Sequence, residues 1–132
     1  MIRIDHIGIA VRNMAESNDL FARLLGEAHY KTEAVESEKV ATSFFQIGES
    51  KIELLEATDP ESPIAKFIEK RGEGIHHIAF EVSDIQAEIE RLEAEGFIPL
   101  NRDPKRGADN KLVAFLHPKS SNGVLVELCQ SV

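Results

Sequence analysis

The sequence predicts an α+β fold of two βαβββ modules, whose strands form a curved mixed sheet around a shared cleft. The first observation is an internal repeat, because residues 5–11 (DHIGIAV) reappear 71 positions later as residues 76–82 (HHIAFEV). The second is that each copy is followed by a helical pattern and then by three strand-like stretches. We therefore expect a single domain over residues 1–132. Its first module covers about 1–58, a linker helix about 59–73 and the second module about 74–132.

The first module has a helical pattern directly after its first strand. Asn13 is placed to cap this helix, and Gly26 is placed to end it. The apolar side of the helix is predicted to contain Met14, Phe21, Leu24 and Leu25. The next strands are predicted at residues 27–33, 39–47 and 51–56, with residues 48–50 (GES) forming the hairpin turn between the last two.

The linker and the second module show comparable signals. Pro63 occupies a favourable first helical position in a short helix predicted at residues 62–71. Ser83 and Gln86 have the spacing of a capping box at the start of the next helix, and Gly96 is placed to end it. The remaining strands are predicted at residues 97–101, 111–116 and 124–130.

Composition excludes several classes of partner and location. The formal net charge of −8 argues against nucleic acid, which requires a basic surface. The longest apolar runs are only as long as strands, so we expect no membrane partner. The single cysteine, Cys129, cannot form an internal disulfide, and the first residues already show a strand pattern instead of an export signal. We therefore expect a cytoplasmic protein.

The repeat places polar side chains at matching positions in the two modules. Side chains alternate faces along a strand, so His6 and His77 each begin the strand face that does not pack under a helix. Carboxylates also interrupt the apolar last strands of the modules, at Glu53 and Glu127. Two imidazoles and two carboxylates suit a divalent ion such as Co²⁺, Mn²⁺, Ni²⁺ or Zn²⁺. We expect these four residues to bind a metal that keeps open positions for substrate.

The other histidines are weaker candidates. His76 points to the opposite face from His77, and it becomes the ligand only if the register is shifted by one residue. His29 fits a surface or sheet-edge position. His117 ends a strand before Pro118 and fits a turn or a substrate contact.

The repeat with this His and Glu pattern resembles the vicinal-oxygen-chelate superfamily. That group contains glyoxalase I, extradiol dioxygenases, antibiotic-resistance proteins and methylmalonyl-CoA epimerases. The resemblance to the epimerase family covers nearly the whole chain. It rests on residues 5–11, 62–67 (SPIAKF), 74–78 (GIHHI) and, most specifically, 115–128 (FLHPKSSNGVLVEL).

The resemblance implies a homodimer that interconverts (R)- and (S)-methylmalonyl-CoA through a metal-stabilised enolate, with cobalt the favoured metal. The family's ligand positions fall on His6, Glu53, His77 and Glu127. Inversion needs acid–base groups on both faces of the planar intermediate, and Glu127 is the candidate for one of them. Lys119 and Ser120 lie in a loop suited to a substrate carboxylate or phosphate.

One departure from the family pattern leaves the second acid–base group open. Some bacterial epimerases have a glutamate on the middle strand of the first module, whereas residues 39–46 (KVATSFFQ) contain no acid here. Glu53, a bound water or Lys119 remain candidates for this group.

Two other functions remain open at this stage. A glyoxalase-like lyase acting on a glutathione hemithioacetal would use the same metal ligands and similar enolate chemistry. A metal-free binding protein of the same fold would need none of them.

Overall fold

The computed structural model describes all 132 residues and has the predicted order of elements. The strands are β1 (Arg3–Ala10), β2 (Lys31–Val35), β3 (Val40–Ile47), β4 (Ser50–Ala57), β5 (Gly74–Glu81), β6 (Lys105–Arg106), β7 (Lys111–Leu116) and β8 (Val126–Ser131). The helices are α1 (Met14–Leu25), α2 (Pro63–Arg71) and α3 (Ile85–Ala94). The α+β class and the two βαβββ modules are therefore confirmed. None of the three helices has the length and apolar composition needed to cross a membrane.

The chain divides into two compact units, and the boundaries between them fall within β1 and β5. The first-module unit is Ile7–His76, and the second-module unit combines Met1–His6 with His77–Val132. Each strand that carries a predicted histidine ligand therefore changes unit next to that histidine. The single domain over residues 1–132, with its module boundaries, stays a prediction.

The first-module unit contains the strand order β2-β3-β4-β1. Asn13 caps α1 by accepting a hydrogen bond from the Glu16 N–H, and Gly26 ends the helix at φ 82°, as predicted. Below α1 lies an apolar cluster that includes Val11, Phe45 and Leu54. Leu24 was predicted on the apolar side of α1, but it is 70% exposed.

The second-module unit contains the strand order β1-β5-β8-β7-β6. Strands β5 and β8 are parallel, whereas β7 and β8 are antiparallel. The apolar stripe of α3 packs on this sheet, with Ile85, Ile89 and Leu92 all buried. The sheet thus has a covered face, as the sequence pattern predicted.

Two local predictions for the second module were wrong. The cap of α3 is Asp84, whose side chain accepts a hydrogen bond from the Ala87 N–H, so Ser83 lies outside the capping position. The predicted strand at 97–101 is reduced to a bridge between Pro99 and Leu116. Proline has no N–H to donate, and the regular strand β6 forms later in the chain.

We expect the Ile89→Ala substitution to destabilise the protein by about 3 kcal/mol, because it opens a cavity under α3. Ile89 is 1% exposed. Urea unfolding followed by circular dichroism measures the change. Glu90→Ala on the exposed side of the same helix is the control and should shift stability by less than about 0.5 kcal/mol. Equal effects of the two substitutions would contradict the packing of α3 described above.

Candidate functional site

Three of the predicted site residues lie on neighbouring strands of the second-module unit. His6 is on β1, His77 on β5 and Glu127 on β8, and these strands are adjacent in the sheet. The parallel pairing of β5 with β8 sets Glu127 opposite Ala79, a small residue that leaves space beside it. All three side chains are buried, with exposed fractions of 5%, 5% and 6%.

The nitrogen and oxygen atoms of these residues converge. The Nε2 atoms of His6 and His77 are 3.0 Å apart. Glu127 Oε1 is 3.1 Å from His77 Nε2 and 3.7 Å from His6 Nε2. Imidazole nitrogens and a carboxylate oxygen so close together have the chemistry of a divalent-ion site.

The distances test whether these residues fit a metal. Imidazole nitrogens and carboxylate oxygens bind transition-metal ions at about 2.1 Å, so two ligand atoms at right angles lie about 3.0 Å apart. The separations of 3.0 Å and 3.1 Å agree with that value. The third separation, 3.7 Å, is longer but still below the roughly 4.2 Å between ligands on opposite sides of an ion. His6, His77 and Glu127 therefore fit a divalent ion.

A second layer of charged residues supports His6. Asp5 is 1% exposed, and its Oδ2 accepts a hydrogen bond of 2.7 Å from Nδ1 of His6. Its Oδ1 accepts a hydrogen bond of 2.8 Å from Nζ of Lys111. A carboxylate that holds Nδ1–H orients the ring so that, in its neutral form, the Nε2 lone pair faces the cluster. Asp5 and Lys111 thus belong to the site, although neither was predicted.

The sequence contained only part of the signal for this second layer. The Asp5-His6 pair was visible, but neighbouring side chains on a strand normally point to opposite faces. Lys111 is 106 residues away from Asp5 and lies in no motif that the repeat shares. Only the fold brings these residues together.

The two histidines also determine the charge state of Glu127. Burial raises the pKa of the Glu127 carboxyl, but hydrogen bonds and charges from His6 and His77 outweigh this effect and lower the pKa to about 2. The carboxylate is therefore ionised at neutral pH. An ionised, buried oxygen ligand is what a divalent ion requires.

The structure distinguishes the two adjacent histidines of the second module. His77 joins the cluster, and the edge of its ring meets the Phe115 ring at a centroid distance of 5.7 Å. The His76 ring instead packs against Phe67 at 4.9 Å, in the first-module unit. The register chosen from the sequence therefore places the predicted histidine in the cluster.

Glu53, the fourth predicted ligand, lies on β4 of the first-module unit. It is 4% exposed and pairs across the hairpin with Phe44. A carboxylate so deeply buried requires hydrogen-bond donors or a cation. Its membership of the ligand set stays a prediction.

The predicted substrate residues lie in a turn after β7. The Lys119 side chain is exposed, and its backbone N–H donates a hydrogen bond to Nδ1 of His117. The Ser120 hydroxyl donates to the His117 carbonyl at 2.8 Å and accepts from the Ile98 N–H at 3.3 Å. His117 is therefore a turn element, one of the two roles considered for it, while substrate binding by Lys119 and Ser120 stays a prediction.

Residues 5–115 match the Glyoxalase/Bleomycin resistance protein/Dioxygenase superfamily. The chain belongs to this family. The mitochondrial methylmalonyl-CoA epimerase of Dictyostelium discoideum is 42% identical over 127 residues, which cover 96% of this chain and 76% of that protein. The ethylmalonyl-CoA/methylmalonyl-CoA epimerase of Cereibacter sphaeroides is 41% identical over 130 residues, which cover 97% of both chains.

Solved structures of methylmalonyl-CoA epimerases are also similar to this chain. A Streptomyces coelicolor methylmalonyl-CoA epimerase variant in complex with 2-nitronate-propionyl-CoA superposes with a TM-score of 0.95 at 36% identity. The match covers 100% of this chain and 96% of that one. These comparisons confirm the predicted family and fold class. They also agree with the predicted enzyme class, since the named relatives are epimerases.

The lowered pKa of Glu127 predicts a defined acid sensitivity for the metal-free protein. The folded-state pKa, about 2, lies below the ordinary value of 4.5, so the ionised group stabilises the fold above pH 4.5 and loses this effect as the pH falls toward 2. We expect this contribution to be about 3 kcal/mol. The measurement is the difference in unfolding free energy between the wild type and Glu127→Gln, with chelator present, at pH 2 to 7.

The comparison between the two proteins isolates Glu127 from other carboxylates that titrate in the same range. The difference should decrease as the pH falls from about 5 toward 2, where Glu127 of the folded protein takes up its proton. If the difference in unfolding free energy did not change between pH 5 and pH 2, His6 and His77 would not stabilise the ionised form of Glu127.

Proposed function

We propose that this chain is a methylmalonyl-CoA epimerase that interconverts the (R) and (S) forms of its substrate through a metal-stabilised enolate. The observation that carries the proposal is the buried convergence of His6, His77 and Glu127. The named relatives at 41% and 42% identity, both epimerases of malonyl-type CoA thioesters, support the choice of reaction. The family alone would also accommodate other chemistry, and the names of these relatives support the proposed substrate class.

The proposed ligands are His6, His77, Glu127 and Glu53. Their mixture of imidazole and carboxylate donors suits Co²⁺, which we favour, and also Mn²⁺, Ni²⁺ or Zn²⁺. A bound ion would act as a Lewis acid and stabilise the negative charge of the enolate. The protein's own contribution is to hold the donor atoms in place and to exclude water from them.

Proton transfer is assigned to carboxylates. A carboxylate oxygen of Glu127 can accept the substrate α-proton because the group is ionised at neutral pH. Inversion requires a second group that returns a proton to the opposite face, and we assign this role to Glu53. Glu53 is buried, with an exposed fraction of 4%, as a group beside an enclosed intermediate would be.

Lys119 and Ser120 are the proposed contacts to a substrate carboxylate or phosphate. The Lys119 ammonium is exposed on the turn. As a compact positive charge, it is suited to bind an anionic group such as a phosphate. We further propose that the active form is a homodimer, as the family resemblance implies. The cytoplasmic location stays a prediction.

We expect the adjacent histidines to differ sharply in metal binding. His77→Gln should weaken Co²⁺ binding by at least about 100-fold, because it removes a direct ligand. His76→Gln is the matched control and should remain within about threefold of the wild type. Competition with a chromophoric chelator measures both affinities. Equal losses, or no loss in His77→Gln, would reject the proposed ligand set.

The reaction itself is tested by isotope exchange. The cobalt-loaded protein, incubated with (S)-methylmalonyl-CoA in deuterated water, should incorporate deuterium at the α-carbon and produce the (R) form. Glu127→Gln should slow both by at least about 100-fold, whereas the surface variant Glu90→Ala should not. A metal-loaded protein that exchanges no proton would reject the function. Turnover of methylglyoxal with glutathione in its place would indicate a lyase.

A further inference from the structure

We propose that Lys111 is a positioning residue that acts through Asp5 to fix the His6 ring for metal binding. The inference deepens the proposed metal site and rests on it. It explains how the His6 ring is oriented before any ion binds. The Lys111 ammonium contacts Asp5, and Asp5 in turn contacts the His6 ring.

The three residues form a continuous buried chain. Asp5 is 1% exposed, Lys111 is 8% exposed and His6 is 5% exposed. Each carboxylate oxygen of Asp5 has its own partner, with Lys111 Nζ at 2.8 Å from Oδ1 and His6 Nδ1 at 2.7 Å from Oδ2. With both oxygens bound, the plane of the carboxylate is defined and cannot rotate freely.

Lys111 is itself held by the sheet that carries Glu127. It is the first residue of β7 and pairs with Ser131 of β8, and its carbonyl accepts a hydrogen bond of 2.9 Å from the Gly107 N–H. A lysine whose backbone is anchored in this way loses little further freedom when its ammonium is fixed. The ion pair also compensates the cost of burying each charge alone.

The consequence for His6 is a single tautomer and orientation. An ionised carboxylate only accepts hydrogen bonds, so the bonded Nδ1 carries the proton. In the neutral ring, Nε2 then carries the lone pair, on the side where His77 Nε2 lies at 3.0 Å. Loss of the Lys111 contact would remove the cation from Oδ1 of Asp5 and would loosen the ring that Asp5 orients.

The second module has no copy of this arrangement. The repeat places His76 at the position that corresponds to Asp5, and the His76 ring packs against Phe67. The Asp5–Lys111 pair therefore serves His6 specifically. The direct effect of Lys111 is therefore expected at His6.

Two readouts without substrate test the proposal. The first is Co²⁺ affinity, and the second is the His6 tautomer in the metal-free protein, measured from imidazole ¹⁵N shifts. Lys111→Met should weaken Co²⁺ binding about 10-fold and should mix the tautomers of His6. Lys111→Arg retains the cation and should remain within about threefold of the wild type.

Arg3→Met is the matched control. Arg3 lies on β1 two residues before Asp5, and its ion pair with Glu81 has a length of 2.6 Å. This substitution removes a charge from the same strand and leaves the Lys111, Asp5 and His6 side chains unchanged. It should change neither readout by more than about twofold. Equal loss in Arg3→Met and Lys111→Met would overturn the proposal, because the effect would then follow general stability.

A double-mutant cycle with Asp5→Asn tests whether Lys111 acts through Asp5. In the Asp5→Asn background, adding Lys111→Met should cause no further loss of affinity. An additional loss of the same size, or an unchanged affinity and tautomer in Lys111→Met alone, would overturn the proposal. Neither readout depends on catalysis, so a protein without epimerase activity that shows these shifts would reject the proposed function and retain the role of Lys111.

Discussion

The interaction on which the site depends is the contact between a buried carboxylate and two buried imidazoles. Glu127 is 6% exposed, so ionising it without partners would cost several kcal/mol. The hydrogen bonds from His6 and His77 more than compensate for that cost and keep the group charged. The site can therefore present an ionised ligand at neutral pH only while the two rings stay within about 3 to 4 Å of the carboxylate oxygen.

The second-module sheet satisfies this requirement with backbone hydrogen bonds. His6 and His77 are 71 residues apart, yet they lie on neighbouring strands. The parallel register of β5 and β8 then fixes where Glu127 stands relative to His77. The core under α3 includes Leu128 of β8 and Val82, the residue that follows β5. Packing under α3 thus helps to hold the strands that carry His77 and Glu127.

The sequence predicted the parts of this arrangement that follow from periodicity and repetition. Alternation along the strand separated His77 from His76, and the repeat identified the strands on which the candidate ligands lie. It did not predict the Pro99 bridge, because an apolar run resembles a strand until the missing N–H of proline is considered. Lys111 was also missed, since its contact with Asp5 depends on tertiary structure across 106 residues.

The two modules show that a repeated ligand does not imply repeated support. Matching imidazoles occur because both first strands start in the same way, but the residue before each imidazole differs. Asp5 is charged and requires a cation, which Lys111 supplies from β7, whereas His76 packs its ring against Phe67. The contacts that orient His6 therefore have no counterpart at the matching position of the second module. Since the orientation of a ring determines which nitrogen faces an ion, we expect the residues behind the proposed ligands to contribute to metal affinity as well.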